Sequence, residues 1–246
     1  VEPNSSEGKQ QIIRELVTQI QDDGSFNYVT KFTLTTYATQ LKFNNFVVGI
    51  SPSDDTVISK NIDAVKAQYL LSNLIDCLVN NSLTVQSFAV TKYYLDSLYL
   101  LIFENGRLHF TYQPPYLIRS SELCEQLGVS QATIMQMVSN GMETVANVGD
   151  FCYPIHNAFY WKDGLWASRI QSLHQQLKLR NQTKEDLIKE IEKEINHFTT
   201  RYNGDFYTVF ADVLSGQKAK YDLEEPDDFN DWKSLLDDLA ELEGNG

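Results

Sequence analysis

Apolar positions along the chain switch between a helical period and a strand period, and each switch predicts an element boundary. Ile12, Ile13, Leu16, Val17 and Ile20 recur at helical spacing after a solvated opening tail, and that helix is expected to end near Asp22-Asp23-Gly24. FNYVTKFTLTTYATQLKFNNFVVGI follows, rich in Thr, Tyr, Phe and Val. Within it Phe26, Tyr28, Thr30, Phe32 and Leu34 alternate with more polar neighbours, which predicts a half-buried strand. SPSDD at 51–55 is a turn or helix-start signal. Residues 56–80 return to the helical period, with Ile58, Ile62, Val65, Tyr69, Leu70, Leu74 and Leu78 on one side. In YLLIFENGRLHFTY, residues 99–112, two β-prone arms flank Asn105-Gly106 and predict a hairpin; the alternative is a buried helix continuing from Tyr93 to Phe103. Gln113-Pro114-Pro115 breaks regular structure and marks an expected domain boundary.

Residues 122–141, ELCEQLGVSQATIMQMVSNG, have a different grammar. Ser120 or Ser121 can cap a short helix through Leu123, Cys124 and Leu127; Gly128 then suits a left-handed turn, Val129 plugs it, and Ser130 caps a second helix. Ile134 and Val138 face inward from that second helix and Gly141 ends it. This is the layout of a helix-turn-helix. With the following ETVANVGDFCYPIHNAFYWKDG, about residues 116–172 resemble the DNA-binding domain of the excisionase and MerR-like winged-helix family. The resemblance implies a β wing with Gly149 at its tip and Val148 and Ile155 along it, and a second helix lying in a DNA major groove. Carried over by position, Ser130, Gln131, Thr133, Gln136, Met137 and Asn140 face the groove, and Asn147, Gly149 and Asp150 form the wing. Gln and Asn can read adenine bidentately.

Charge alters that picture. The family commonly carries Arg or Lys in this helix and wing, whereas no basic residue stands between Arg119 and Lys162, and Glu122, Glu125, Glu143 and Asp150 do. The whole chain has formal charge −13, and the C-terminal stretch 181–246 alone holds 17 acidic against 7 basic side chains. Only 161–180 is basic, so Arg119, Lys162, Arg169, Lys178 and Arg180 are the expected phosphate anchors. Whether they gather beside the second helix separates DNA binding from a protein-binding use of the same fold.

Past residue 180, Leu187, Ile188, Ile191, Ile195 and Phe198 mark a helix opened by Thr183 and Asp186 in the manner of a capping box. Tyr207, Val209, Phe210, Val213 and Leu214 suggest another, closed by Ser215-Gly216. In the acidic tail Phe229, Trp232, Leu236 and Leu239 form an apolar stripe that suits a partner's groove or a dock on the chain itself. The three cysteines and four histidines read as ordinary structural or surface residues; Cys152 and His156 alone make no zinc site. No phosphate loop, nucleophile elbow or metal cluster is legible, so no catalysis and no cofactor are expected. No stretch has the length of a membrane span, and a cytoplasmic protein is the default.

The expected fold is α+β, with an N-terminal helix-and-strand domain over 1–112, a central winged helix-turn-helix over 113–180 and an acidic helical region over 181–246. The expected function is non-enzymatic DNA binding or transcription regulation, as a dimer or within a complex, with double-stranded DNA and a protein or second copy as partners. The alternative is an adaptor that uses the winged helix for protein contacts.

Overall fold

The structure, a computed structural model, describes residues 6–22, 27–80, 82–146 and 151–244. Asn147, Val148, Gly149 and Asp150, the expected wing tip, lie outside the described residues, as does Phe26. The architecture is mixed helix and sheet, mostly helical, with small antiparallel sheets. The chain divides into two compact units, Val1–Asn181 and Gln182–Gly246. Among the described residues no helix is long and apolar enough to cross a membrane.

Helix α1 (Ser6–Gln21) buries Ile13, Val17 and Ile20, the stripe expected from the sequence, but it begins inside the expected tail. The expected strand at 26–34 is instead helix α2 (Tyr28–Lys42), capped by Asn27, whose side chain accepts from the Thr30 amide. Its inward face is Phe32, Thr35, Thr36 and Thr39, all buried at helical spacing. The three threonine hydroxyls donate to the carbonyls of Lys31, Phe32 and Thr35 one turn back, so a polar, β-branched face is buried at little cost. The strand period arose because Tyr28, Thr30, Phe32 and Leu34 happen to alternate with more polar neighbours in a Thr-, Tyr- and Phe-rich segment.

Strand β1 (Val47–Pro52) leads through an irregular stretch to α3 (Ala64–Val79), capped by Asp63. The helix expected over 56–80 therefore starts late; Ile58 forms an isolated bridge with Phe103, and Val65 and Tyr69 face solvent. Helix α4 (Val85–Ile102) replaces the first arm of the expected hairpin. Leu95, Leu98, Tyr99 and Ile102 are all essentially inaccessible, so the segment is too apolar for periodicity to distinguish helix from strand. Strand β2 (Leu108–Tyr112) pairs antiparallel with β1, Val47 opposite Tyr112 and Pro52 opposite Leu108. Asn105-Gly106 thus turns a helix into a strand.

The expected break at Pro114-Pro115 falls inside the first unit. Phe43, Val47, Phe88, Tyr112 and Tyr116 form one buried cluster across it. Strand β3 (Leu117–Ile118) opens the next segment, followed by α5 (Ser120–Leu127), α6 (Gln131–Ser139), β4 (Val145–Ala146), β5 (Phe151–Pro154) and α7 (His156–Lys162). The sheet order is β3-β5-β4, antiparallel throughout, with Ile118 opposite Tyr153 and Val145 opposite Cys152. Gly128 takes a left-handed conformation, φ 70°, between α5 and α6, and Ser130 caps α6 by accepting from the Thr133 amide. Leu123 and Ile134, both fully buried, join the two helices to Ile118, Met142 and Tyr153; each contributes about 1.5–3 kcal/mol by burial. Helix α8 (Gly164–Asn181) completes the unit, its His174 packed against Gly141 beyond the end of α6.

In the second unit α9 (Lys184–Tyr202) starts with the capping box seen in the sequence, Thr183 and Asp186 exchanging side-chain and backbone bonds. Two short helices, α10 (Phe206–Val209) and α11 (Ala211–Leu214), precede α12 (Pro226–Gly244). Phe206, Phe210, Phe229 and Trp232 form the buried core, with Phe198, Tyr202 and Leu236 packed around it. Phe229 and Trp232 are therefore not an open partner-binding stripe. They hold α12 on its own unit, and Leu239 is only half-buried.

Candidate nucleic-acid interface

Helix α6 sets its fully buried Ile134 on the core, and the helical period turns Gln131, Ala132, Met135, Gln136, Ser139 and Asn140 to solvent. That exposed face carries no charge. Gln131, Gln136 and Asn140 are exposed on it, whereas Met137, expected on the same face, packs against the Leu123–Ile134 core. Ser130 and Thr133 are partly occupied by each other, their hydroxyls 3.0 Å apart within the helix cap. Met135 is 57% exposed, an apolar side chain on an otherwise polar face. Asn147 lies outside the described residues.

The expected phosphate anchors do not form one group. Arg119 is exposed as the residue capping α5, and Lys162 is exposed at the end of α7. Arg169 instead lies over the Trp166 ring at 4.7 Å and the Tyr93 ring at 5.9 Å, in a groove formed with α3 and α4. Arg180 is spent inside the fold, donating to the carbonyls of Leu100, Phe103 and Gly106 at 3.3, 2.5 and 2.7 Å. Lys178 lies close enough to His174 to depress its pKa, after burial, which is the larger cause.

Around Glu143, just past the end of α6, is a buried polar cluster that sequence reasoning missed. Lys92 on α4 reaches Asp96 at 2.7 Å and Glu143 at 3.2 Å, with its ammonium 4.3 Å from the centre of the Phe110 ring. Glu143, in the link between α6 and β4, also accepts from the Tyr112 hydroxyl at 2.7 Å and contacts His156 Nε2 at 3.1 Å. Tyr116 Oη meets His156 Nδ1 at 3.3 Å, and Asn157 donates to the Glu143 carbonyl at 2.8 Å. These residues come from α4, β2, the short turn 114–116, the α6–β4 link and α7, so no local motif could announce them. The i, i+4 spacing of Lys92 and Asp96 was the one short-range sign.

The electrostatics follow from burial. Burial alone would raise the Glu143 carboxyl, but the Lys92 charge and the bonds from His156 and Tyr112 outweigh it and bring it down to about 2. Burial lowers His156 against the pull of Glu143, and it raises Asp96 against Lys92. Lys92 is raised because its two carboxylates outweigh the cost of burial. Glu143 is consequently not a repulsive charge on the α6 surface, as its place in the sequence had implied. It is neutralised from within, and the exposed acids next to α6 are Glu122 and Glu125 on α5.

Two of these groups make the first unit sensitive to acid. His156 is held neutral when folded but protonates when unfolded below about its ordinary 6.5, so its contribution is lost as pH falls through that value. Glu143 contributes fully above its ordinary 4.5 and loses that contribution on descent toward about 2. Asp96, shifted upward, partly offsets this. Urea denaturation should therefore give a stability that falls in two stages on acidification, with the lower stage absent from Glu143→Gln. A flat profile from neutrality to pH 3 would rule out this assignment.

The chain matches no family model, no curated protein and no solved structure. Among the described residues no three His, Cys, Asp or Glu side chains group as a metal site.

Proposed function

We propose that residues 117–162 act as a winged helix-turn-helix that lays α6 into the major groove of double-stranded DNA, within a non-enzymatic transcription-regulating protein. The observation that carries this reading is the order β3-β5-β4, with α5 and α6 inserted between the first strand and the other two. In this reading the antiparallel pair β4–β5 supplies the two arms of a wing that would meet the DNA backbone. The withdrawal of Glu143 into the cluster and the outward amides of Gln131, Gln136 and Asn140 also support it. The engagement of Arg169 and Arg180 elsewhere counts against this reading and toward the adaptor; with Arg119 and Lys162 as the cations this segment offers, DNA binding requires further phosphate neutralisation from a second copy or a basic protein in the same complex.

Fluorescence anisotropy with mixed genomic fragments across a salt series tests the reading. Each bidentate amide–adenine pair is worth about 1–3 kcal/mol, so Gln131→Ala with Gln136→Ala should weaken selective binding by roughly 10-fold or more. No binding by the intact chain near ~50 mM salt would end the stand-alone DNA reading.

A second reading has its own support. Met135 stands exposed on an uncharged α6 face, and Arg169 and Arg180 are engaged elsewhere, which fits α6 as a protein-docking helix of an adaptor. Capture of a defined protein that is lost on Met135→Asp, without any DNA retention, would favour it.

A further inference from the structure

The groove between α3, α4 and α8 encloses about 400 Å³ and differs in charge balance from the chain taken as a whole. Acidic side chains outnumber basic ones 33 to 20 in the sequence, yet no Asp or Glu lines this groove and two cations do, Lys66 and Arg169. Three tyrosines, Tyr69, Tyr93 and Tyr94, form much of its wall, with Tyr69 61% exposed. The Arg169 guanidinium lies 4.7 Å from the centre of the Trp166 ring and has no carboxylate partner among the described residues. Ser168 and Ser172 add hydroxyls along α8; the Ser172 oxygen already accepts from Gln176 and keeps its proton to donate.

Each part asks for a different portion of one ligand. Unpaired cations ask for an anion with several acceptor oxygens, and Arg suits phosphate by its bidentate fork. The exposed Tyr69 ring, flanked by half-buried Tyr94, asks for a flat ring, because stacking on an aromatic is worth about 1–3 kcal/mol per base. The serine hydroxyls ask for a polar linker between the two. A bare inorganic anion leaves the tyrosines unused, and an apolar acid covers the Ser168 and Ser172 hydroxyls without accepting from them. The volume lies within the range of small-molecule sites.

We propose that this groove binds a nucleotide unit, its phosphate on Arg169 and Lys66 and its base against the tyrosines. Its face of α8, residues 169, 172, 173 and 176, is turned about 200° from the His174 face that packs beside α6. The site is therefore separate from the proposed groove-reading helix and independent of it.

Isothermal titration calorimetry of the full chain with adenosine monophosphate, adenosine, inorganic phosphate and a short oligo(dA) strand tests the proposal. Adenosine monophosphate or the strand should bind with Kd below about 1 mM and at least ~10-fold more tightly than adenosine or phosphate alone. Arg169→Gln and Tyr69→Ala should each weaken that binding at least ~10-fold while the circular dichroism spectrum stays unchanged. Gln131→Ala with Gln136→Ala should leave it intact, which keeps this result apart from any failure of α6 to bind DNA. Binding by the mononucleotide identifies a free nucleotide as the ligand; binding by the strand alone, falling with salt, identifies a single-stranded segment. Absence of binding by both probes near ~1 mM overturns the proposal. So does binding that survives both substitutions together.

Discussion

Lys92→Met should destabilise the first unit by about 3–5 kcal/mol, because it strands carboxylates beside one another with their cation removed. Lys92 is nearly inaccessible, and its ammonium is the charge that Asp96 and Glu143 share, at 2.7 and 3.2 Å. Methionine fills a similar volume, so lost packing contributes little and the cost measures unpaired charge. Pairing it with Asp96→Leu should recover a substantial part of the loss, since Glu143 retains Tyr112 and His156. Urea denaturation of the wild type and both variants decides the matter. A loss below about 1 kcal/mol for Lys92→Met would mean that water reaches the cluster and screens it.

Trp232→Ala should unfold the second unit and leave the first folded. The indole is 1% exposed and lies between Phe198 at 5.4 Å, Phe206 at 5.6 Å, Tyr202 at 5.9 Å and Phe210 at 6.0 Å. Removing a buried tryptophan costs about 3–5 kcal/mol. A single core in a unit this small supplies about the same amount in total. Hydrogen exchange followed by mass spectrometry should show amides of 184–244 exchanging freely while those of α3 and α4 remain protected. Retained protection across α9 and α12 would show that the unit draws stability from elsewhere.

What could be read in the sequence was whatever was local. Gly128, Ser130, Leu123 and Ile134 each carry a residue-specific requirement of a tight turn between helices, and all four take the expected positions. The Thr183–Asp186 cap and the stripes of α1, α9 and α12 were legible for the same reason. Reading failed where the buried face was polar, as in α2 with its three bonded threonines, or where no face was polar, as in the last turns of α4. It failed again for sites assembled from distant segments. Arg169 was singled out as a cation, but Tyr69 and Tyr93, which change what that cation can do, belong to other helices. Glu143 was counted as a surface charge because Lys92, Tyr112 and His156 are remote from it along the chain.

The turn at Asn105-Gly106 has a consequence for how this sequence can vary. Such a turn is ordinarily where a chain best tolerates an added residue. Here the Gly106 amide donates to the Asn181 side chain at 3.0 Å, and its carbonyl accepts from Arg180 at 2.7 Å. A side chain at Gly106, φ 80°, would collide with the Thr56 and Tyr99 hydroxyls, each 2.9 Å away. The far end of α8 is thus tied to this one peptide, while His174 further up the same helix is wedged against Gly141. Lengthening the loop would shift a strut fixed at two points. Insertions and deletions should therefore be purged from this surface turn as strictly as from the interior.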